Sequence, residues 1–357
     1  MTEAYINRIA TVVPRHDVHQ AFVQFAQSLY RDKPRELALF KRMVEKAGIE
    51  HRFSGLAPAT DPGGAAVDAE AFYKRGAFPS TGERMRKFEA EAPALAEAVI
   101  GKLLSGSERN RISHLLVTCC TGFSAPGLDL EIVERCDLPT TVERTVVGFM
   151  GCYAAINALK LARHIVRSEP AARVLVLNLE LCTLHLHEAE NLEEVLSFLV
   201  FGDGCAASLV TAEPQGVALD SFRAVLVPHT RELITWSIGD FGFDMVLSGQ
   251  VPATIRDALH ADAGEILGGR KASAIALWAV HPGGRTVLDA VERAFDLDPS
   301  ALAASREVLR AYGNMSSATV MFVLEALMRT SAAGATGCAM AFGPGLVAET
   351  MLVHTAG

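Results

Sequence analysis

One cysteine of the chain has a setting that suits nucleophilic chemistry. Cys152 follows the segment GFMG at 148–151 and directly precedes an apolar stretch with helical periodicity that begins near Tyr153. The two glycines permit a sharp entry into that helix, because they adopt backbone angles that residues with a Cβ avoid. The free N–H groups and the dipole of a helix start favour a thiolate, the nucleophilic form of cysteine. Taken alone, the segment fits equally well a small buried cysteine that fills the core.

Two residues of the second half could complete a catalytic set with this thiol. His281 follows an apolar stretch at 274–280 and begins the segment HPGG. Asn314 lies in YGNMSSA, just before a second apolar helix. Each residue alone has an ordinary explanation, since single histidines serve many purposes and asparagine often caps a helix.

The two halves of the chain repeat one order of elements. In each half an apolar strand ends in a Gly/Pro loop, a glycine turn enters an apolar helix, and a second glycine-rich turn leads into an apolar strand. The three pairs of segments are 114–120 and 274–280, MGCYAAINALKLAR and YGNMSSATVMFVLEALMR, and 201–213 and 338–353. The spacing also agrees, since 32 positions separate Cys120 from Cys152 and 33 separate His281 from Asn314. Three matching units in one order indicate an internal duplication.

A duplication predicts two related halves, residues 1–214 and 215–357, that face each other across a pseudo-two-fold axis. Such an axis brings both helix starts toward one centre. Cys152, His281 and Asn314 would then share one site.

Together these three side chains match the needs of acyl transfer through a thioester. His281 could hold Cys152 as a thiolate by forming an imidazolium partner, and the sulfur would then accept an acyl group. His281 and Asn314 could both donate hydrogen bonds to a thioester carbonyl. They would stabilise the enolate that forms when a malonyl thioester loses carbon dioxide. Asparagine suits this task better than aspartate, because a neutral amide donates without repelling the developing oxyanion.

Strands and helices alternate along the first half, which predicts a layered α/β architecture. We expect a short strand over 6–13, a charged amphipathic helix over 34–47, a loop over 55–64 and a long helix from about 82 to 104. Further strands are expected at 114–120, 143–149 and 173–181, and further helices over 128–136, after 152 and from about 191.

Composition places the chain among globular proteins and excludes several other classes. Of its 357 residues, 50% are hydrophobic and 21% are charged, and the formal net charge is -8. An acidic balance without a Lys/Arg-rich run argues against nucleic-acid binding. Charges interrupt the apolar start of the chain, and no run of about eighteen uncharged apolar residues occurs. We therefore expect neither a signal peptide nor a membrane span, and we expect a cytoplasmic protein.

Metal and nucleotide signatures are weak. The seven cysteines are odd in number and lack CxxC spacing, which fits reduced thiols better than a disulfide framework or a zinc knuckle. Cys205 and Cys338, in the repeated turn-strand units, are expected in the core. His185 and His187 would face one side of a strand, but no third ligand stands in register, so we expect no metal. The chain has no GxSxG, GxGxxG or P-loop lysine.

Several segments together resemble type III polyketide synthases of the chalcone and stilbene synthase family. They are GCYAAINALKLA around Cys152, FGDG from Phe201, HPGG from His281, YGNMSSA around Asn314 and FGPG at 342–345, in the family's order across nearly the whole chain. The resemblance implies a thiolase-like fold with duplicated, layered αβαβα architecture, a homodimer, and a catalytic triad of Cys152, His281 and Asn314. It also implies that acyl-CoA and malonyl-CoA are starter and extender, with no metal, no other cofactor and no carrier protein.

The resemblance also assigns the walls of a substrate cavity. Phe201 corresponds to the family's gatekeeper phenylalanine. The second gatekeeper falls on Met245, a flexible residue that departs from the family pattern. Trp236 stands where the plant enzymes have a small glycine, and Cys120, followed by Thr121, stands where they have a threonine. We expect Trp236 and Met245 to line the space in which the polyketide chain grows.

Further positions refine this assignment. The loop TWSIGDFGFDMVLSGQVP resembles that of bacterial and fungal alkylpyrone and alkylresorcinol synthases, which take fatty acyl starters. Ala341 replaces a glycine of the family's GFGPG segment, a change that we expect to be minor. We place Ser316 among the substrate-binding residues. The resemblance places Arg42 and Lys46 at the CoA phosphates, although basic residues on helix 34–47 more commonly mark a solvated helix face.

The sequence thus predicts a type III polyketide synthase that loads a fatty acyl-CoA on Cys152, extends it with malonyl-CoA and cyclises it to an alkylpyrone or alkylresorcinol. Two alternatives stay open. One is a ketoacyl synthase of the type that starts fatty-acid synthesis, which shares the fold and triad but requires malonyl on acyl carrier protein. The other is a catalytically silent thiolase-fold dimer that acts as a binding protein.

Overall fold

Strands and helices alternate through the computed structural model, which describes residues 2–189 and 191–357. The strands of that part are β1 (Tyr5–Val12), β2 (His16–Asp17), β3 (Phe53–Ser54), β4 (His114–Cys119), β5 (Glu143–Gly148), β6 (Val174–Leu181), β7 (Asp203–Thr211), β8 (Val217–Leu226), β9 (Ile234–Gly239), β10 (Gly242–Leu247), β11 (Leu277–Val280), β12 (Thr336–Gly343) and β13 (Val347–Thr355). The α-helices are α1 (His19–Leu29), α2 (Pro34–Ala47), α3 (Thr81–Leu103), α4 (Gly106–Arg109), α5 (Leu128–Arg135), α6 (Ala154–Ser168), α7 (Leu192–Phe198), α8 (Val251–Ala261), α9 (Ala263–Ile266), α10 (Arg285–Phe295), α11 (Ala303–Tyr312) and α12 (Thr319–Thr330).

One nine-stranded sheet consists of two parts, one from each half of the chain, which are called the first and second sheets below. Apart from the additional edge strand β5, the two sheets have the same strand order. The first sheet has the order β5-β4-β6-β7-β1, and the second has the order β11-β12-β13-β8. Each contains a parallel pair, β4 with β6 or β11 with β12, followed by two antiparallel pairings. The sheets join through a short antiparallel pairing of β1 with β8, where Tyr5 faces Ala218 and Ile6 faces Val217. An internal duplication produces this match in order and direction.

Alternate residues of the central strands face two different layers of helices. In β4, Leu115 packs in an outer cluster with α3, whereas Leu116 packs in an inner cluster. In β12, Met340 packs outward with α8 and α10, whereas Ala339 faces the same inner cluster. The inner cluster contains α6 and α12, so the order of layers is αβαβα, as the resemblance predicted.

The inner layer consists of α6 and α12, the helices that follow Cys152 and Asn314 along the chain. The buried residues of α6 include Ala155, Ala158 and Ala162, which let the helix lie close to both sheets. Residues 319–324 of α12 are all buried. Each buried Val, Leu, Ile or Phe contributes about 1.5–3 kcal/mol. Burial of these two helices therefore holds the two halves together.

The expected strands and helices lie close to their predicted positions, with two differences that matter for the site. The strand expected over 274–280 is only the four-residue β11, because a 3₁₀ turn precedes it at Ala272–Ala274. α12 begins at Thr319, after a 3₁₀ turn over Ser316–Ala318. Asn314 therefore lies five positions before the helix and not at its first turn. Within the described ranges, no helix is long and apolar enough to cross a membrane.

Candidate active site

The predicted triad lies on one cavity of about 760 Å³, a volume that includes its open mouth. Cys152 comes from the first half of the chain, and His281 and Asn314 come from the second. Cys152 is half-buried, whereas His281 and Asn314 are buried. Most other lining side chains are apolar; they include Phe198, Ile234, Leu247, Val251, Ile255, Val287 and Phe342. The fold thus brings three distant polar groups into one mostly apolar pocket.

A 3₁₀ turn, Gly151–Tyr153, carries Cys152 to the start of α6. The chain reaches this turn through two left-handed residues, Phe149 at φ +57° and Gly151 at φ +71°. A left-handed conformation costs glycine little but costs other residues about 1–2 kcal/mol. Gly151 is also needed for space, because a Cβ there would lie 2.4 Å from Cδ of Pro344. The thiol is therefore held on a strained approach that the surrounding core enforces.

Gly148 has a different role from the one expected. It ends β5 without a left-handed φ, so the prediction that it helps to open the turn is wrong. A Cβ at Gly148 would lie 2.9 Å from a ring carbon of Phe123. The Phe123 ring also packs against Phe149, with centroids 5.4 Å apart. Gly148 thus permits the close approach of an aromatic loop to the segment before Cys152.

Burial shifts the pKa of the thiol and of the imidazole in this site toward the neutral forms. It raises the pKa of Cys152 to about 11, although hydrogen bonds with the Ser316 and Asn314 side chains act in the opposite direction. Burial also lowers the pKa of His281 to about 3. Desolvation therefore opposes the predicted thiolate and imidazolium, whereas the helix start favours the thiolate. The ion pair of Cys152 and His281 stays a prediction.

His281 has an imidazole whose hydrogen-bonding capacity is unused. Its backbone N–H donates to the Met340 carbonyl at 2.8 Å, which fixes the residue against β12. Among the described residues, neither ring nitrogen has a hydrogen-bond partner. Buried polar atoms are normally paired, so an unpaired imidazole facing a cavity marks a place where a substrate atom can bond.

Asn314 is fixed so that its amide nitrogen, and not its oxygen, is available. Its backbone N–H donates to the Val200 carbonyl at 2.7 Å, and its carbonyl accepts from the Gly202 N–H at 3.0 Å. The side-chain Oδ1 accepts from the Ser316 N–H at 2.9 Å, which sets the orientation of the amide. Nδ2 lies 3.4 Å from the Gly283 carbonyl. Its remaining N–H can donate to an oxyanion in the cavity.

A fully buried carboxylate, which the sequence reasoning missed, links the two halves beside the cavity. Glu180 on β6 accepts hydrogen bonds from the Cys120 N–H at 3.0 Å, the Thr121 hydroxyl at 2.9 Å and the Ser317 hydroxyl at 2.6 Å. Burial raises its pKa, and these donors partly offset that shift. Ser316 Oγ lies 3.3 Å from Cys120 Sγ. The signal available in the sequence was that Glu180 is the one charged residue of the buried strand β6.

The β9–β10 hairpin supplies a cavity wall through the cross-strand pair Trp236 and Met245. The Trp236 indole N–H donates to the Cys120 carbonyl at 2.7 Å, which ties the hairpin to the end of β4. His185 lies edge-on to Trp236, with centroids 5.4 Å apart, and stacks on Phe243 at 4.1 Å. These contacts hold the indole in the space that a glycine would leave open.

His185 and His187 have roles in packing. They follow the end of β6 and do not lie in a strand, contrary to the expectation. Nδ1 of His185 accepts from the Phe243 N–H at 3.0 Å, so its Nε2 carries the proton and donates to the Thr121 carbonyl at 2.7 Å. His187 stacks on Phe198. Within residues 2–189 and 191–357, no three His, Cys, Asp or Glu side chains are grouped to hold a metal ion.

The structure brings together all the residues predicted to bind substrate in the cavity, but not those predicted to bind CoA. The lining includes Cys120, Thr121, Phe201, Trp236, Met245 and Ser316. Arg42 and Lys46 are exposed on α2 and do not line the cavity. The Lys46 carbonyl accepts a hydrogen bond at 3.4 Å from Arg285, the first residue of α10. Contact of Arg42 and Lys46 with CoA stays a prediction.

Condensation of acyl thioesters needs a thiol that accepts an acyl group and donors that stabilise an enolate oxyanion. The cavity contains both, and it lies between the halves of a duplicated αβαβα fold. Fold and site therefore place the chain among the condensing enzymes of thiolase-like fold.

Comparison with known proteins narrows this class to one family. The models described as chalcone and stilbene synthases, N-terminal domain and C-terminal domain, match residues 3–214 and 218–357. The chain belongs to the chalcone and stilbene synthase family and is a type III polyketide synthase.

Relatives cover almost the entire chain. The alpha-pyrone synthesis polyketide synthase-like protein Pks18 of Mycobacterium tuberculosis is 34% identical over 366 residues, covering 98% of this chain and 91% of that protein. Bisdemethoxycurcumin synthase of Oryza sativa is 34% identical over 88% of this chain and 82% of that protein. The structure of 1,3,6,8-tetrahydroxynaphthalene synthase from Streptomyces coelicolor superposes with a TM-score of 0.88 at 28% identity, covering 100% of both chains.

His281 should make the protein sensitive to acid. Its folded pKa of about 3 lies below the ordinary value of 6.5, so between these values the unfolded chain binds a proton that the folded chain does not. Stability present above pH 6.5 is lost as the pH falls toward 3. When the pH falls from about 7.5 to about 5, the unfolding free energy of the unmodified chain should decrease by about 2 kcal/mol more than that of His281→Gln. Urea denaturation at both pH values measures the difference.

The matched control for this experiment is His164→Gln, at an exposed position of α6. This variant should show the same acid-induced loss as the unmodified chain. Equal losses in His281→Gln and the unmodified chain would contradict a buried neutral imidazole.

Proposed function

We propose that the chain condenses an acyl-CoA starter with malonyl-CoA and releases a cyclised alkylpyrone or alkylresorcinol. The observation that carries this proposal is the convergence of Cys152, His281 and Asn314 on one mostly apolar cavity. No cofactor beyond the CoA thioesters is required, because the three side chains provide a nucleophile, a base and oxyanion donors. Residues 1–214 contribute the thiol, and residues 215–357 contribute its two partners.

In the proposed loading step, the Cys152 thiol transfers its proton to His281 while the sulfur attacks the carbonyl carbon of the starter thioester. The carbon–sulfur bond to CoA then breaks, and CoA leaves as its thiol after taking the proton. Because burial favours the neutral thiol and imidazole, the ion pair exists only while the negative charge moves toward substrate. A resting neutral cysteine in an apolar cavity is also a poor target for unwanted oxidation.

In the proposed extension step, malonyl-CoA loses carbon dioxide and its thioester carbonyl becomes an enolate. Nδ2 of Asn314 and the N–H of neutral His281 donate to the enolate oxygen. One such donor typically accelerates a reaction about 10²–10³-fold. The enolate carbon attacks the acyl group on Cys152, and the bond to the sulfur breaks as the new carbon–carbon bond forms. The unpaired imidazole and the fixed amide of the empty site support these roles.

We propose an aliphatic starter because the cavity offers mainly hydrocarbon surface. Its lining includes Phe198, Ile234, Leu247, Val251 and Ile255. Each methylene group of a starter buried there contributes about 0.8 kcal/mol. The relative Pks18, whose name includes alpha-pyrone synthesis, is 34% identical to this chain over the aligned residues. After each extension the lengthened chain is carried by CoA, and transfer of its thioester to the Cys152 thiol would release CoA. Pyrone formation would then release the product through attack of its own enol oxygen on the Cys152 thioester, with the Cys152 thiol as the leaving group.

We also propose a homodimer that forms through the edge strand β5. This strand pairs only with β4 and leaves one row of backbone N–H and C=O groups unpaired. Val146 on β5 is 48% exposed, and Phe123, which packs near the end of the strand, is 38% exposed. A second copy of the chain can cover both the polar edge and the apolar side chains.

We place the enzyme in the cytoplasm. All seven cysteines are free thiols, a state that reducing compartments maintain.

We place the phosphates of CoA near α2. Arg42 and Lys46 are exposed cations on this helix, which contacts the first turn of α10 through Arg285.

Loss of the Cys152 thiol should abolish product formation. Cys152→Ala should form no acyl-enzyme with decanoyl-CoA and no extended product after malonyl-CoA is added, because no other group accepts the acyl chain. Cys182→Ala is the matched control, since this thiol lines the same cavity but does not stand at the start of α6. It should retain acylation. Intact-protein and product mass spectrometry measure both steps, and wild-type product formation by Cys152→Ala would refute the assignment.

Product length should follow the volume at the cross-strand pair Trp236 and Met245. Trp236→Gly enlarges the cavity and should allow additional malonyl extensions or longer starters, whereas Met245→Phe fills it and should shorten the products. Trp236→Phe keeps an aromatic ring but loses the hydrogen bond to the Cys120 carbonyl. Of the three variants, it should give the product lengths closest to those of the unmodified chain. Products from acyl-CoA starters of rising length are identified by mass spectrometry. Unchanged profiles for both Trp236→Gly and Met245→Phe would count against this role.

A charge on β5 should separate the proposed dimer. Val146→Lys replaces an apolar side chain of the proposed interface with a cation that must be desolvated when the copies associate, and should give a monomer by light scattering coupled to size-exclusion chromatography. Leu226→Lys is the control, because Leu226 is 68% exposed on β8, away from β5. A dimer in both variants, or a monomer before any substitution, would exclude this interface.

A further inference from the structure

A second cavity lies behind one wall of the catalytic cavity. It has a volume of about 540 Å³ including its mouth. Cys182, Phe198 and Phe201 line both cavities and so form the partition between them. The proposed condensation uses only the first cavity, and the role of the second is open.

The second cavity has an apolar interior and its own mouth. Its buried apolar lining includes Phe22, Leu56, Val67, Tyr73 and Leu186. At its outer end lie Val18, Ala21 and Pro58, which are half-buried. None of these residues lines the catalytic cavity. A ligand can therefore enter beside α1 without passing Cys152.

One cation in the wall of this cavity has an unused donor. Arg52 is 2% exposed. Its Nε donates to His19 Nδ1 at 3.0 Å, and its Nη1 donates to the carbonyls of Phe198 at 3.0 Å and Phe201 at 2.6 Å. Nη2 is buried and has no hydrogen-bond partner among the residues that the structure describes. A buried guanidinium with an unpaired nitrogen costs free energy that a bound acceptor would recover.

The other polar groups of the cavity already have partners. The Asp68 carboxylate accepts from the backbone N–H groups of Glu70, Phe72 and Tyr73. The Ser54 and Thr183 hydroxyls lie 2.7 Å apart. Thr183 also donates to the buried carboxyl of Asp203. The cavity thus lacks one hydrogen-bond acceptor, for Nη2 of Arg52, and the rest of its lining is mainly apolar.

We propose that the second cavity binds a free aliphatic carboxylate of medium chain length. Its carboxylate accepts a charge-assisted hydrogen bond from Arg52 Nη2, and its hydrocarbon chain fills the apolar interior. The ligand enters beside Val18 and Ala21. Binding here does not require the reaction proposed for Cys152, because Cys152, His281 and Asn314 line the catalytic cavity and not the second one.

Equilibrium dialysis with radiolabelled decanoate tests this site on the full chain. We expect one decanoate per chain and at least tenfold weaker binding of decan-1-ol, which lacks the charge. Ala21→Trp fills the mouth and should weaken decanoate binding at least tenfold. Gln20→Trp, at the exposed neighbouring position of α1, is the matched control and should bind like the unmodified chain. Equal decanoate affinity in the two variants, or equal affinity for decanol, would overturn the proposal.

A second measurement separates the two cavities without using enzyme activity. Decyl methanethiosulfonate converts an accessible thiol to a decyl mixed disulfide and releases methanesulfinate. Cys152 is half-buried, whereas the other six cysteines are buried, so the label should enter the catalytic cavity. Decanoate affinity should be unchanged after labelling. Loss of decanoate binding would place the carboxylate in the catalytic cavity and refute a second site.

Arg52→Gln tests the cation directly and should lower decanoate affinity at least tenfold. Circular dichroism and thermal melting must accompany it, because Arg52 also holds the carbonyls of Phe198 and Phe201. If this variant does not fold, the comparison of Ala21→Trp with Gln20→Trp still decides the question. Full decanoate binding by a folded Arg52→Gln would refute the role of the guanidinium.

Discussion

The burial of two helices between two sheets is the constraint on which the site depends. α6 and α12 share one apolar cluster that contains residues from the strands of both halves. Protein interiors are close-packed, so a shift of either helix would open voids that cost about 24 cal/mol per Å³. Cys152 and Asn314 each precede one of these helices by a few positions. The positions of Cys152 and Asn314 are thus fixed by two helices that are buried between the sheets.

The same burial determines the chemistry that the site can perform. Desolvation favours the uncharged forms of Cys152 and His281, and hydrogen bonds near the thiol only partly offset it. In a cavity of low polarity, a donor aimed at a developing oxyanion has a larger effect than in water. The fixed amide of Asn314 and the unpaired imidazole of His281 are therefore suited to stabilising negative charge that appears in a transition state.

Much of this organisation could be predicted because it is local or repeated. The helix over 34–47 has its expected bounds, since an N-terminal proline and a glycine after Ala47 mark its ends. The duplication, inferred from three matching units and their spacing, predicted that Cys152, His281 and Asn314 lie together. The pKa shifts of Cys152 and His281 could not be predicted, because desolvation depends on how much protein surrounds each group. Glu180 was missed for a similar reason: its three partners come from distant segments that only the fold brings together.

One wall of the cavity lies outside the duplicated core. Among the described residues, the β9–β10 hairpin has no counterpart in the matched order of the two large sheets and pairs only with itself. It contacts the core through the bond from Trp236 to the Cys120 carbonyl and through the stacking of Phe243 on His185. Substitutions on this hairpin can change the cavity without moving α6 or α12. Cys152, His281 and Asn314 can therefore stay fixed while the shape of the cavity beside them changes.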